Sequence, residues 1–416
     1  MVSDRKCSFK VKLVDRGNRI KDLLEINEGL LESAIKSNFT GYDPFDGLNS
    51  KLFKPLVFYR SRFLRLAWIQ FHKRFPFNLR PLLLIPKKRN AKGIALFILG
   101  LLEDYRRTSE NHYLEQAIQL GDWLLDQTCD KTKWKHSCWS YHFDWESKAF
   151  FVPKTTPNII STIYVSRALY QLGEICGADR FCDAALDSAN FIVNTLLIEK
   201  DGNRVFGYIP GEQVLVHNAN LWGAAWIAFV ANKKNDPELA KISLTAARIS
   251  AFAQSNDGSW VYGTRGHHQF IDGFHTGYNL EALDIIKREL DVDEFDSVIS
   301  KGLDYYRNTF FLKDGTCKYY NNNPYPYDMH SVAQALITFL KISRQPSDQL
   351  LMKKIIEWAL GNMYIDSQNR FRYQKTRWYS NNNDYIRWTK AWCYYAFAFY
   401  NARNIEFASD NTMDVT

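Results

Sequence analysis

Read as a string of apolar and polar positions, the chain alternates between two kinds of helix. One kind is apolar nearly all round and rich in small residues, and it recurs at 93–105, 158–173, 220–231, 275–286, 330–342 and 387–400. The other carries a charged stripe along one side and falls between these, at about 111–127, 180–197, 236–254, 293–309 and 347–362. Helices without a polar face belong inside a fold and amphipathic ones outside it. Six inner helices and five outer ones follow in alternation, and a helix at 56–75 supplies the sixth outer one if the chain closes head to tail. The pattern predicts an all-α fold: an (α/α)6 toroid with short β-hairpins and long loops at one mouth.

A short phrase recurs in step with the helices. Asp257-Gly258-Ser259-Trp260-Val261-Tyr262 precedes a helix near His275, and Asp314-Gly315-Thr316-Cys317-Lys318-Tyr319 precedes one near His330. Asp201-Gly202 through Tyr208 leads to Asn220, and Asn369 through Tyr373 leads to Arg387. These helix starts lie 55 to 57 residues apart, the signature of one supersecondary unit stacked many times. Thr156-Pro157-Asn158 reads as a helix start, with Thr156 as cap and Pro157 in the first turn. No linker rich in Gly, Ser or Pro interrupts the series. The expected organisation is a polar lead over 1–40, carrying one amphipathic helix around 20–35, a single toroid over 41–405 and a disordered tail over 406–416.

Composition changes this picture in three places. The aromatic fraction of 15% suits a sugar-stacking cleft and a thick helical core equally well. The net charge of +8 is concentrated, since residues 51–93 hold twelve Lys or Arg and no Asp or Glu. As an outer helix this segment would pack its apolar face on the ring and leave its arginines solvated; the sharper alternative is peripheral contact with an anionic membrane face. No nucleic-acid-binding module is recognisable. The seven cysteines have no CxxC pair, which fits free thiols in a reducing compartment. With a charged N-terminus and no long apolar run, the expectation is a cytoplasmic protein, peripheral to the inner membrane face if the basic segment makes that contact.

The layout resembles the six-hairpin glycosidase-like superfamily of (α/α)6 toroids, which includes glycoside hydrolases, polysaccharide lyases and sugar epimerases. Tyr42-Asp43-Pro44-Phe45-Asp46-Gly47-Leu48-Asn49, Phe270-Ile271-Asp272-Gly273-Phe274-His275-Thr276-Gly277 and Tyr325-Pro326-Tyr327-Asp328-Met329-His330-Ser331 are similar to proteins encoded in bacterial exopolysaccharide-biosynthesis clusters. The resemblance spans about 41–402 and implies a carbohydrate-active enzyme of polysaccharide biosynthesis or processing. Fold alone does not choose the reaction, because one toroid hosts several chemistries. Hydrolysis of an acidic or acetylated glycan is the first expectation. Lyase cleavage or uronate C5-epimerisation is the second, and a non-catalytic polysaccharide-binding scaffold the third.

Aligning the inner helices by their small residues puts Asn158, Asn220, His275, His330 and Arg387 in equivalent first turns around one mouth. Free N–H groups and positive dipole ends there favour anionic or hydroxyl-rich ligands. Asp272 and Asp328 stand just upstream in adjacent repeats, roughly 6 to 10 Å apart by this reckoning, which is the range glycoside hydrolysis uses. Either reads equally as a helix cap, Asp being favoured there. His275 and His330 suit proton transfer, and Tyr327, among the loop tyrosines Tyr42, Tyr262, Tyr325 and Tyr379, suits proton abstraction beside a uronate. The catalytic candidates are therefore Asp272, Asp328, His275, His330 and Tyr327. Candidate substrate contacts are Asp43, Asp46, Trp145, Asn220, Trp222, Trp260, Arg265, Tyr325, Arg377, Arg387 and Trp388: arginines to clamp an acid, tryptophans as sugar platforms. Each Trp also has a core-packing reading. His267, His268 and His217 lack supporting carboxylates or thiols, so no metal and no cofactor is expected. The stretch from Gln254 to Trp260 resembles a terpene-cyclase repeat but lacks the run of aspartates, and no cysteine has the setting of a lanthionine-cyclase zinc set.

Overall fold

The computed structural model describes residues 12–14, 20–146, 151–200, 202–343 and 345–413. After α1 (Leu23–Lys36) and α2 (Arg62–Arg74), five hairpins follow: α3 (Ala91–Thr108) with α4 (Asn111–Asp126), and, past a single turn α5 (Lys131–Trp134), α6 (Ile159–Cys176) with α7 (Asp179–Phe191). Next come α8 (His217–Lys234) with α9 (Pro237–Ala251), α10 (Gly273–Leu290) with α11 (Asp296–Phe310), and α12 (Met329–Ile342) with α13 (Pro346–Met363). A π-helical turn, Ile386–Ala391, runs into α14 (Trp392–Met413). Residues 1–11 and 15–19 of the expected lead and 414–416 of the expected tail lie outside the described residues; residues 406–413, expected to be a disordered tail, continue α14.

The inner ring is α3, α6, α8, α10, α12 and α14, each packed on the next, with α14 returning onto α3. In α8, residues 217–228 are buried without a break, as a helix lacking a polar face requires. The five hairpins lie within about six residues of their expected bounds, while the last inner helix, expected over 387–400, runs on to Met413.

Closure is achieved differently from the sequence expectation. The sixth outer helix is α1, in the segment read as a polar lead. It buries Leu23, Ile26, Leu30, Leu31 and Ala34 and packs on α14. Helix α2, expected in that place, lies instead at the mouth of the ring. Its C-terminal turn is held by Tyr379 Oη, Asn381 and Asn383, which donate to the carbonyls of Arg74, Lys73 and Phe75. Ile69 and His72 face inward, but the stripe of Leu64, Ala67 and Phe71 faces solvent. The helix start at 156–158 is also shifted: Asn158 is the cap, its Oδ1 accepting from the Ser161 N–H at 2.8 Å.

The recurring Asp-Gly turns have a physical reason. Gly258 and Gly315 have φ near +92° and +90°, and a Cβ on either would come within 2.4 Å of the Lys301 carbonyl or 2.3 Å of the Lys354 carbonyl. Only glycine combines that backbone with that approach to the outer helix. The short strand Tyr327–Asp328 pairs antiparallel with Gln374–Lys375, and that with Ser380–Asn381, placing three loops on the same mouth.

Candidate active site

The N-terminal ends of the inner helices enclose a cavity of about 410 Å³. Its wall is built from one repeated position. The N-caps of the six inner elements are Asn90, Asn158, Val216, Asp272, Asp328 and Tyr385. The residue two places after each cap is Lys92, Ile160, Asn218, Phe274, His330 and Arg387, and every one lines the cavity. At that place in the first turn a side chain points down the axis of the ring. Tyr141, Tyr208, Tyr262, Tyr278 and Tyr319 fill the spaces between, and Leu66, Gln70, Lys73 and Arg74 of α2 form a roof.

Two histidines sit in this wall in different states. Asp272 caps α10, accepting from the His275 N–H at 2.8 Å, and its second oxygen lies 2.7 Å from His275 Nδ1. That contact places the Nδ1 proton on the carboxylate side and leaves Nε2 with its lone pair. The His275 side chain is 20% exposed, so Nε2 is reachable from the cavity. His330 stands two residues after its cap rather than three, and its ring turns inward. It stacks between Phe274 and Trp392, at 4.7 and 4.5 Å between ring centroids, with Nε2 2.6 Å from Tyr278 Oη. Burial, with Lys92, His275 and Arg387 nearby, holds it well below its ordinary pKa, so it is neutral, and its Nδ1 has no hydrogen-bond partner. Tyr278 follows His275 by one turn of α10, the rings 5.8 Å apart, and so links the two.

Charge in the cavity is unevenly matched. Lys92 is 3% exposed, its Nζ lying 4.2 Å from the centroid of Tyr164 and 5.2 Å from that of Trp392. Burial, reinforced by Arg387, pushes its pKa well below the ordinary lysine value. Lys73 Nζ lies 5.0 Å over the Phe45 ring, and burial lowers its pKa against the pull of Asp328. No ion pair is made by either lysine among the described residues. Arg387, by contrast, is bidentate to Asp43 at 2.6 and 2.8 Å, and Glu146 is held by Arg65 at 2.7 Å and Arg62 at 3.5 Å. Asn218 Oδ1 is buried without a partner.

The structure therefore brings together Asp272, His275, His330, Arg387, Trp388 and Trp145 from the sequence candidates. The others stand elsewhere. Asp328 lies behind the wall, receiving hydrogen bonds from the His330 N–H, Gln374 Nε2 at 2.6 Å and Trp388 Nε1 at 3.2 Å; burial raises its pKa to about 6. Asp43 and Asp46 are buried partners of Arg387 and Arg80. Asn220 falls on the fourth residue of α8 and serves the core, accepting from the Phe206 N–H and donating to Ala246 O and Ser250 Oγ. Trp260 is buried, donating to Ser250 O, and Trp222 lines a separate cavity of about 780 Å³. Arg265 pairs with Glu212 at 3.1 Å. Tyr325 and Tyr327 pack together, with Tyr327 against Trp358, and Arg377 is exposed over Trp378. Among the described residues no group of three or more His, Cys, Asp or Glu is placed to hold a metal. Lys92, Lys73, Asn218 and Tyr278 went unremarked in the sequence. The signal for Lys92 and Asn218 was the repeat itself, counted from the cap.

No protein-family model matches the chain, and no curated protein matches it in sequence. Solved structures do match in fold. Cellobiose 2-epimerase from Bacillus thermoamylovorans B4167 superposes with a TM-score of 0.59 at 11% identity, over 77% of this chain and 90% of that one. An unsaturated glucuronyl hydrolase specific for heparin gives 0.61 at 12% identity, over 92% and 96%. The GH76 α-mannanase of Bacteroides thetaiotaomicron gives 0.59 at 9%, over 76% and 87%. The chain has the (α/α)6 toroid fold of these glycosidase-like proteins.

Proposed function

We propose that this chain is a carbohydrate-active enzyme that moves a proton at a sugar carbon, as an epimerase does, on an acidic oligosaccharide. The observation that carries this is the Asp272–His275 pair, which presents an imidazole lone pair to the cavity beside a second, neutral histidine bonded to Tyr278. His275 Nε2 takes the proton from the carbon. The electron pair left behind is delocalised into the adjoining carboxylate; Lys73 supplies positive charge to receive it, and Lys92, whose pKa burial lowers in the empty cavity, takes up its proton as the anionic substrate binds. The His330–Tyr278 pair returns a proton to the same carbon. General acid–base catalysis of this kind needs both groups within hydrogen-bond reach of the reacting centre. Fold neighbours that include an epimerase and a glucuronyl hydrolase agree with a saccharide substrate.

Hydrolysis is the second reading, favoured by one observation. Glu146 and Asp272 both line the cavity, and Glu146 Oε1, buried, accepts no hydrogen bond and has the Arg62 guanidinium at 3.5 Å. The two reactions separate in deuterium oxide with uronate-containing oligosaccharides. Deuterium on a sugar carbon without new reducing ends supports proton transfer. New reducing ends without carbon-bound deuterium overturn it in favour of hydrolysis, and ultraviolet absorbance of an unsaturated uronate overturns it in favour of lyase cleavage.

A further inference from the structure

Helix α2 has two working faces. One roofs the cavity with Gln70, Lys73 and Arg74. The other, facing away from the ring, is apolar: Leu64, Ala67 and Phe71 line a groove of about 510 Å³ with Leu52, Leu56 and Leu83. Beyond the groove the apolar surface continues, with Phe63 82% exposed, Leu82 75% and Phe77 71%. Exposed large apolar side chains gathered on one helix and the loop that follows it mark a docking surface rather than ordinary solvent-facing helix. Its surroundings say what docks. Residues 51–93 contain no acid, and Lys51, Arg60, Lys87 and Lys88 are exposed among the apolar residues. Trp378, 82% exposed beneath the Arg377 guanidinium, sits on the loop tied to the end of α2 through Tyr379 and Arg74.

We infer that the outer face of α2 and its flanks is an interfacial surface that seats this chain on an anionic lipid bilayer, with Phe63, Phe77 and Leu82 inserted among the headgroups. Apolar insertion plus basic residues is the combination that holds peripheral proteins at such surfaces. A second copy would cover the apolar area but set its own basic rim against this one, whereas an anionic bilayer meets both the apolar side chains and the basic ones. Because the same helix roofs the cavity, the cavity would open beside the membrane, where a lipid-borne saccharide is presented. The surface stands independently of the proposed reaction, since plain vesicles carry no sugar.

The test is sedimentation with vesicles of phosphatidylglycerol and phosphatidylcholine against phosphatidylcholine alone. The full chain should partition to the anionic vesicles only, less so as salt is raised. Phe63→Ser should weaken that partition at least about tenfold, the loss expected for one buried aromatic ring. Lys51→Gln and Arg60→Gln should each weaken it roughly fivefold; Arg62 and Arg65 are unsuitable because they hold Glu146. Phe63→Trp gives a readout that needs no loss of binding: its emission should shift to the blue on anionic vesicles. The inference is overturned by no partition to anionic vesicles, by equal partition to both compositions, or by an unshifted Phe63→Trp emission. A dimer dissolved by Phe63→Ser without vesicle binding would assign the face to a second copy and overturn it too.

Discussion

Asp272 Oδ2 lies 2.7 Å from His275 Nδ1, while its Oδ1 accepts the N–H of the same residue at 2.8 Å. One carboxylate thus ends a helix and orients the imidazole one turn in. Asp328, its counterpart in the next repeat, caps its helix too but turns its other oxygen to Gln374 and Trp388. The difference follows from spacing: three residues from cap to histidine let the ring fold back onto the carboxylate, and two do not.

Asp272→Asn should keep the cap and lose the tautomer. An amide facing Nδ1 donates rather than accepts, so the histidine would carry its proton on Nε2 and cease to be a base. Proton exchange into the sugar should fall ~10²-fold or more, with stability changed by no more than ~1 kcal/mol. Solvent-deuterium incorporation beside thermal melting measures both. Near-normal exchange would leave Asp272 a cap only.

Asp328→Asn should do the opposite. The carboxylate does not line the cavity, so exchange should stay within a few-fold of wild type. Burial raises its folded pKa to about 6, above the ordinary aspartate value. Between about pH 4 and pH 6 the native state therefore binds more proton than the unfolded chain, and this residue's contribution to stability falls as pH rises through that window. The Asn variant should gain on wild type across it, as denaturant titrations at stepped pH would reveal.

His217 carries the reverse sign. Burial lowers its pKa to about 4, and Nδ1 lies 3.0 Å from Ser250 Oγ. The native state keeps it neutral while the unfolded chain protonates, so its contribution is present above about pH 6.5 and is lost as pH falls towards 4. His217→Gln should flatten that part of the stability–pH curve relative to wild type.

Lys92→Met tests the recognition of acid. The change removes a buried amine with no ion-pair partner among the described residues, so the melting temperature should hold or rise. Turnover of a uronate-containing oligosaccharide should drop ~10²-fold or more, the loss of a charged contact in a dry site. Equal turnover of acidic and neutral sugars by the variant and wild type would exclude Lys92 from binding the carboxylate.

Much of this architecture was legible in the alternation of helix types, because a helix buried all round announces itself by composition. The site was legible only in part. Counting from small residues put Asn220 beside His275, whereas the caps put Asn218 beside Phe274, and a shift of two residues turns a side chain from cavity to core. Asp43 and Asp46 looked like ligands, but each neutralises a buried arginine delivered from a distant segment, which no local pattern discloses. The N-terminal helix was expected around 20–35 but assigned to a polar lead rather than to the ring, because its apolar stripe is narrow and its outer face charged. Helix α2 was misplaced because its apolar stripe does not pack on the ring.

The meeting of α1 with α14 makes neighbours of the earliest and latest helices of the ring. A ring sealed between α1 and α14 cannot be sealed until α14 has left the ribosome, so α1 must wait, its α14-facing stripe uncovered, while the helices between are made. The seam also need not be where it is. Linking α14 to α1 and opening the chain instead in a loop between an outer helix and the next inner one should yield a circular permutant with the same ring, its folding order rotated by one hairpin or more.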